Sequence, residues 1–362
     1  MCIYPQLVVD LDKLENNIIK IKDICSKDNI SIVGVVKGCN GYTKVAKVFD
    51  KVGVKYIASS RMEQLVSIKN EVRTPLMLIR IPMLSEVDKL VEICDVSLNS
   101  EIEVIKKINE IALKYKKIHN IILMKDLGDL REGFMSDDEL IEAAILTEKL
   151  PNVHLLGIGT NLSCYGSIEP SYDNLNELVN VSKKIENKIG RKLEYISGGS
   201  TTSIPLIVQN NMPKGINLLR IGEGILLGNV RNCYIENLYN DVFKLKAEVI
   251  EVKTKPTYPI GKISYDAFGH KVKYVDKGIR KRAILALGKA DYAIIEDLIL
   301  LEKKAYIIGA SSDHTIIDIE DVNREIKVGD IIEFRLGYSN LLHVTNSNNI
   351  YVKFKEKEDE ND

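Results

Sequence analysis

The sequence predicts a (β/α)8 TIM barrel followed by a mostly β C-terminal domain. Three observations predict it. Short apolar runs recur along the first two thirds of the chain, most of them followed by a helix-like amphipathic stretch. The rhythm stops after Gly228, where alternating runs without helical partners begin. Polar residues cluster at the carboxyl ends of several apolar runs, where barrels build their sites.

Leu7–Leu11 reads as a short strand, and Asp12 as the cap of a helix over Lys13–Lys27, with Leu14, Ile18, Ile21 and Cys25 on one face. Ser31–Phe49, SIVGVVKGCNGYTKVAKVF, is the stretch around which the rest of the chain is organised. Its β-branched run Ile32–Val36 has the pattern of a buried parallel strand. Lys37 ends that strand, a Gly-Cys-Asn-Gly turn comes next, and Val45, Ala46, Val48 and Phe49 mark the apolar side of a helix. The further runs are Tyr56–Ala58, Leu76–Ile79, Val96–Leu98, Ile121–Met124, Leu155–Gly159, Leu193–Ile196 and Leu218–Ile221. Amphipathic segments such as Ser85–Cys94, Ser100–Lys116, Asp137–Lys149 and Asn174–Ile189 lie between them. A doubly wound open sheet is the competitor, weakened because no GxGxxG comes after the first strand.

The barrel is expected over 12–228. The β domain is expected over 229–355, on the runs Phe243–Val252, Arg282–Leu287, Tyr306–Gly309, Thr315–Ile319, Ile331–Leu336 and Ile350–Phe354. The charge run 356–362 is expected to be a disordered acidic tail.

Composition narrows the class. With 50 Lys+Arg against 51 Asp+Glu, nothing points to nucleic acid or an anionic membrane. No apolar run is long enough to span a bilayer, and the N-terminus lacks the parts of a signal peptide, so a cytoplasmic protein is expected. The cysteines Cys2, Cys25, Cys39, Cys94, Cys164 and Cys233 are scattered and read as reduced thiols. His119, His154, His270, His314 and His343 lack metal-ligand spacing, so no metal is expected.

Chemistry is therefore sought at the strand ends. Apolar walls around Lys37 should lower its pKa and favour the neutral amine that condenses with a carbonyl, although a snorkelling rim lysine is the blander account. The seventh barrel strand runs into Ser-Gly-Gly-Ser-Thr-Thr-Ser at 197–203, and the eighth ends in Arg220-Ile221-Gly222-Glu223-Gly224. Loops after these two strands often bind phosphate in TIM barrels. A phosphate site and a reactive lysine in one barrel mouth point to pyridoxal 5′-phosphate, with a sugar-phosphate aldolase as the rival. Arg220 lies inside an apolar run and so points into the barrel, where it needs an acceptor.

The ordered set VVKGCN, DLGDLREG, GIGTN, SGGSTTS and LRIGEGILLG resembles the alanine racemase family, nearest its ornithine racemase-like branch. GIRKRAILALGKAD and IIGASSDHTIIDI extend the resemblance into the second domain. It implies a barrel that binds pyridoxal 5′-phosphate, a β domain joined by the N-terminal strand 6–11, and a head-to-tail homodimer with shared active sites. It implies that Lys37 carries the cofactor covalently. Arg131 would touch the cofactor's phenolic oxygen or the substrate carboxylate, and Arg220 the pyridine nitrogen. Ser200, Thr201 and the amides of Gly222 and Glu223 would bind the phosphate. Asp313 falls in the matching β-domain motif.

The chain departs from alanine racemases at three places. Gly41 stands where they have a tyrosine near the phosphate, and Asn161 where they have a stacking histidine. Lys289 occupies the place of their second catalytic base, a tyrosine. The resemblance therefore implies a racemase of ornithine or another basic amino acid, with Lys37, Lys289 and Asp313 as the catalytic candidates and His314 beside Asp313. Alanine racemase and a D-threonine aldolase-like enzyme are the enzymatic alternatives, and a non-enzymatic carrier of the cofactor is the third. A basic side chain needs a carboxylate partner, for which Asp129, Asp266 and Asp291 are candidates.

Overall fold

The computed structural model describes residues 3–265, 268–269 and 271–356. Its contacts divide the chain into two units, Lys13–Tyr239 and Met1–Asp12 with Asn240–Asp362. The division falls after Tyr239, within the stretch 229–241 between the last barrel strand and the alternating runs. Asn17 explains this: it donates to Ile225 O at 2.9 Å and Tyr239 O at 2.8 Å and accepts from Tyr239 N, tying residues up to 239 to the first long helix.

In chain order the first unit comes after strand β1 (Gln6–Asp10) and carries helix α1 (Leu11–Ser26) and β2 (Ser31–Val35). Then come α2 (Thr43–Val52), β3 (Tyr56–Ser59), α3 (Met62–Ile68), β4 (Leu76–Leu78), α4 (Val87–Ile93), β5 (Val96–Asn99) and α5 (Ile102–Lys114). Next are β6 (His119–Met124), α6 (Asp137–Glu148), β7 (Val153–Gly159), α7 (Tyr172–Ile189), β8 (Tyr195–Ser197), α8 (Ile204–Val208), β9 (Leu218–Ile221) and α9 (Glu223–Leu226). Strands β2 to β9 form a closed parallel barrel, sealed where Ile32 pairs with Leu219 and Gly34 with Ile221. Asp12 lies inside the first turn of α1 and does not cap it.

Alternation along the strands sets the two barrel faces. Val33, Val35, Val96, Leu98, Ile122 and Met124 pack together inside. Gly34 faces the other way, and a Cβ there would lie 2.3 Å from the Phe49 ring, so α2 sits directly against the strand. The β5 residues between the inward positions are polar. Ser97 Oγ lies 3.0 Å from His119 Nε2, and Asn99 donates to Ser97 Oγ at 2.9 Å.

The second unit is mostly antiparallel. Its strands are β1, β10 (Phe243–Pro256), β11 (Ile279–Leu285), β12 (Leu298–Leu300), β13 (Tyr306–Ala310), β14 (Thr315–Asp318), β15 (Ile331–Leu336) and β16 (Tyr351–Lys355). The order is β12-β15-β10-β11-β14-β13, with β1 antiparallel to β10 and parallel to β16. This unit is not free of helix, as its sequence pattern suggests. Helix α10 (Tyr338–Val344) comes after β15, and its buried Asn340 accepts from Ala293 N and Ile294 N and donates to Ile294 O. No helix among the described residues is long and apolar enough to cross a membrane.

His119 generates a prediction. It is 2% exposed, and burial pulls its imidazole from the ordinary 6.5 to about 4. The unfolded chain therefore binds this proton at higher pH than the folded one, so His119 contributes stability above 6.5 that is lost as pH falls toward 4. The loss should total about 3 kcal/mol. Denaturant unfolding at a series of pH values should show it, with a shallower slope in His119→Gln; an unchanged slope in the variant would refute the assignment.

Candidate active site

Lys37 comes two residues after the last strand residue, Val35, and Val36 has already left extended backbone at φ -95 and ψ 3. The strand gives way there to a 3-10 turn, Lys37–Cys39, closed by Gly41 N to Val36 O at 3.1 Å. Asn40 and Gly41 take left-handed backbone, and a Cβ on Gly41 would lie 2.7 Å from Gln64 Cβ. No tyrosine fits at Gly41; Tyr42 comes next, half-buried. Gln64 braces the turn, donating to Asn40 Oδ1 at 3.0 Å and accepting from Ser59 Oγ at 2.5 Å.

Lys37 is half-buried, and its amine is held below the ordinary lysine range. Burial is the main cause. Cys164 and Glu132 pull upward, while Arg131 and Arg220 push further down. These are the groups whose charge acts on the amine. They come from the loop after β6, the loop after β7, and β9.

Arg220 is 4% exposed. Its Nη1 donates to Ser197 Oγ at 2.5 Å and its Nη2 to Thr160 O at 2.6 Å. Burial lowers the guanidinium to about 10, so it keeps its charge at neutral pH. Gly159 makes room: a Cβ there would lie 3.4 Å from Nη1. The hydroxyl of Thr160 is buried with no hydrogen-bond partner among the described residues.

The loops after β8 and β9 touch. Gly224 N donates to Thr201 Oγ1 at 3.1 Å, and Ser200 Oγ lies 3.3 Å from Thr202 Oγ1. Gly222 opens α9 from a position where a Cβ would lie 3.3 Å from Val35. Hydroxyls and the start of a short helix thus share the rim with Lys37, a setting suited to an anion. Glu223 accepts from Asn229 Nδ2 at 3.0 Å.

The loop after β6 is built by its own acids. Asp126 Oδ1 accepts from Gly128 N at 2.8 Å and Leu130 N at 3.2 Å. Asp129, 1% exposed, accepts from the amides of Cys164, Tyr165 and Ile168, which fastens this loop to the one after β7. With those amides on it, Asp129 is a structural carboxylate rather than a partner for a basic substrate. Asn161 stands on the second loop and donates to Cys164 Sγ at 3.3 Å. Glu132 and Cys164 belong to this site although sequence reasoning did not single them out.

Lys289 and Asp313 lie in the second unit, on two loops that pack together. Lys289 N donates to Ser311 O and Ala290 N to Ser312 O, both at 2.9 Å, and a Cβ on Gly288 would lie 2.1 Å from Ser312 O. Lys289 Nζ sits 4.1 Å from the centre of the Phe268 ring, Asp313 accepts from Ser312 Oγ, and His314 is exposed. Asp291 accepts from Gly288 N at 2.9 Å, and burial raises its carboxyl above the ordinary value. Asp266, His270 and the tail 357–362 lie outside the described residues. Among the described residues no group of His, Cys, Asp and Glu could hold a metal ion.

Labelling tests the geometry. A neutral amine is the nucleophile, so on cofactor-free protein a dilute amine-reactive reagent near neutral pH should modify Lys37 ahead of the exposed lysines, as read by peptide mass spectrometry. Labelling of Lys37 no faster than that of surface Lys106 would contradict the lowered pKa.

Known proteins share this outline. Residues 9–229 match the family model described as alanine racemase, N-terminal domain. An ornithine racemase from Acetoanaerobium sticklandii is 44% identical, over 94% of this chain and 96% of its own. A lysine racemase from Thermotoga maritima is 39% identical, over 95% and 97%. Among solved structures, a Bartonella henselae alanine racemase with covalently bound pyridoxal phosphate superposes with a TM-score of 0.75 at 14% identity, covering 97% of this chain and 99% of its own.

Proposed function

Because the chain belongs to the alanine racemase family, we propose that it is a pyridoxal 5′-phosphate-dependent racemase of a basic amino acid, ornithine first and lysine next. The observation that carries this most is Lys37, a half-buried amine below its ordinary pKa at the end of the first barrel strand.

The residues fit the cofactor on two counts. A neutral lysine amine is the group that condenses with an aldehyde. The touching loops of Ser200–Thr201 and Gly222–Gly224 offer hydroxyls and an approach without Cβ for a phosphate. When bound, pyridoxal 5′-phosphate supplies an electron sink that acidifies the substrate's Cα hydrogen.

The chain's own residues then divide the work. Lys37 holds the cofactor and, once released, takes or returns the Cα proton at Nζ on one face. Lys289 serves the other face, with Asp313 or His314 as the alternative. Arg220, charged and already held by Ser197 and Thr160, would be the donor to the ring nitrogen and would not yield its proton. Arg131 and Asn161 orient cofactor and substrate. Ser200, Thr201 and the amides of Gly222 and Glu223 take the phosphate. The protein acts as a cytoplasmic homodimer in which Lys289 and Asp313 of one copy serve the barrel of the other.

Substrate choice is tested by chiral chromatography of L-ornithine, L-lysine and L-alanine incubated with the holoenzyme. Both basic substrates should exceed alanine in kcat/KM, ornithine by about 100-fold or more, since a site built to pair a polar group rejects an analogue lacking it. Faster turnover of alanine would reject the substrate class and leave racemisation standing.

Sharing of sites is tested by mixing Lys37→Ala with Asp313→Ala, each inactive alone. If subunits exchange, activity should partly return. Continued inactivity after demonstrated exchange would sink the shared site.

A further inference from the structure

We propose that Glu132 is the positioning residue of this site: its carboxylate sets the place of the Arg131 guanidinium and compensates its charge beside Lys37. The inference rests on the racemase reading for the role of Arg131, and on geometry for the rest.

Glu132 grips its sequence neighbour with both oxygens. One accepts from Arg131 Nε, and the other from Nη2 at 2.7 Å. A two-point contact fixes the plane of a guanidinium as well as its position, and leaves both Nη1 hydrogens uncommitted to Glu132. The Glu132 side chain is 16% exposed and that of Arg131 41%, so the carboxylate is the more buried partner.

Adjacent side chains on regular backbone diverge, so this contact needs a special loop. The loop supplies it. Leu130 has φ 56, an uncommon and costly value for a leucine. Gly133 has φ +127, and a Cβ there would lie 2.6 Å from Asp126 N. Asp126 and Asp129 fasten the backbone from within and from the neighbouring loop. The backbone beside Arg131 is thereby fixed, and Glu132 fixes the side chain.

Charge gives the second reason. The groups whose charge acts on Lys37 are Arg131 and Glu132 after β6, Cys164 after β7, and Arg220 on β9. Arg131 also faces Asp129, whose carboxylate already receives backbone amides. Loss of the Glu132 charge would leave two guanidinium groups acting on the amine without the carboxylate that opposes them.

The test uses full-length Glu132→Gln and Glu132→Asp with two readouts. The first is the pH midpoint of Lys37 labelling, measured by mass spectrometry on protein stripped of cofactor. The second is kcat and KM for L-ornithine with cofactor restored. Glu132→Gln should label at a lower midpoint, because the neutral amine persists to lower pH, and should lose about 10- to 100-fold in kcat/KM, the scale of a misplaced orienting group. Glu132→Asp should keep the wild-type midpoint, because the charge remains, yet show a raised KM, because the shorter side chain cannot hold both nitrogens. A wild-type midpoint in Glu132→Gln, or a wild-type KM in Glu132→Asp, would overturn the proposal. Should the wild-type protein racemise no amino acid, the functional reading falls while the labelling midpoint still decides the role of Glu132.

Discussion

A charge buried inside the barrel wall constrains everything around it. Arg220 is almost wholly out of water. An unpaired ion in that position costs several kcal/mol, so its hydrogens must find acceptors. Ser197 on β8 supplies a hydroxyl and Thr160, just past β7, a carbonyl. Gly159 supplies space by having no side chain. Three neighbouring strands are thus composed around one guanidinium, and the loops they launch form much of the candidate site.

The loop after β6 solves a related problem with carboxylates. Asp126, Asp129 and Glu132 recur every third residue, and each is spent differently. Asp126 organises its own turn, Asp129 seizes the next loop, and Glu132 meets Arg131. Loop-borne sites need such bracing, since a loop lacks the ladder that stiffens a strand. The two loops beside Lys37 are consequently one body, joined through the amides that Asp129 receives.

The barrel was legible because its strands are buried on both faces and read as unbroken apolar runs. Lys37 and Arg220 were legible for the same reason: a cation inside or ending such a run must point inward. Strand β12, three residues long, and helix α10 escaped because Leu298–Leu300 and Tyr338–Val344 are too short to show a period. Glu132 escaped because an Arg-Glu neighbour pair looks like ordinary surface charge until the strained loop folds the two side chains together. Asp129 looked available for a substrate because backbone amides leave no trace in a sequence. Cys164 reads as one more isolated thiol until Asp129 draws its loop against the mouth.

The pairing of β1 has a consequence for how the chain is made. This strand is made well before its partners β10 and β16, so Gln6 must wait for Lys246 and then Tyr351. Lys13–Tyr239 contains all of the barrel strands and precedes both partners in synthesis. Pairings of such long sequence separation form late, so closure of this sheet must wait until β10 and β16 have been made. During that interval β1 presents an unpaired edge, the kind of surface that invites wrong strand pairing. Residues 6–10 and 351–355 are thus bound to one another by the sheet, and loss of either strand strikes the same structural unit.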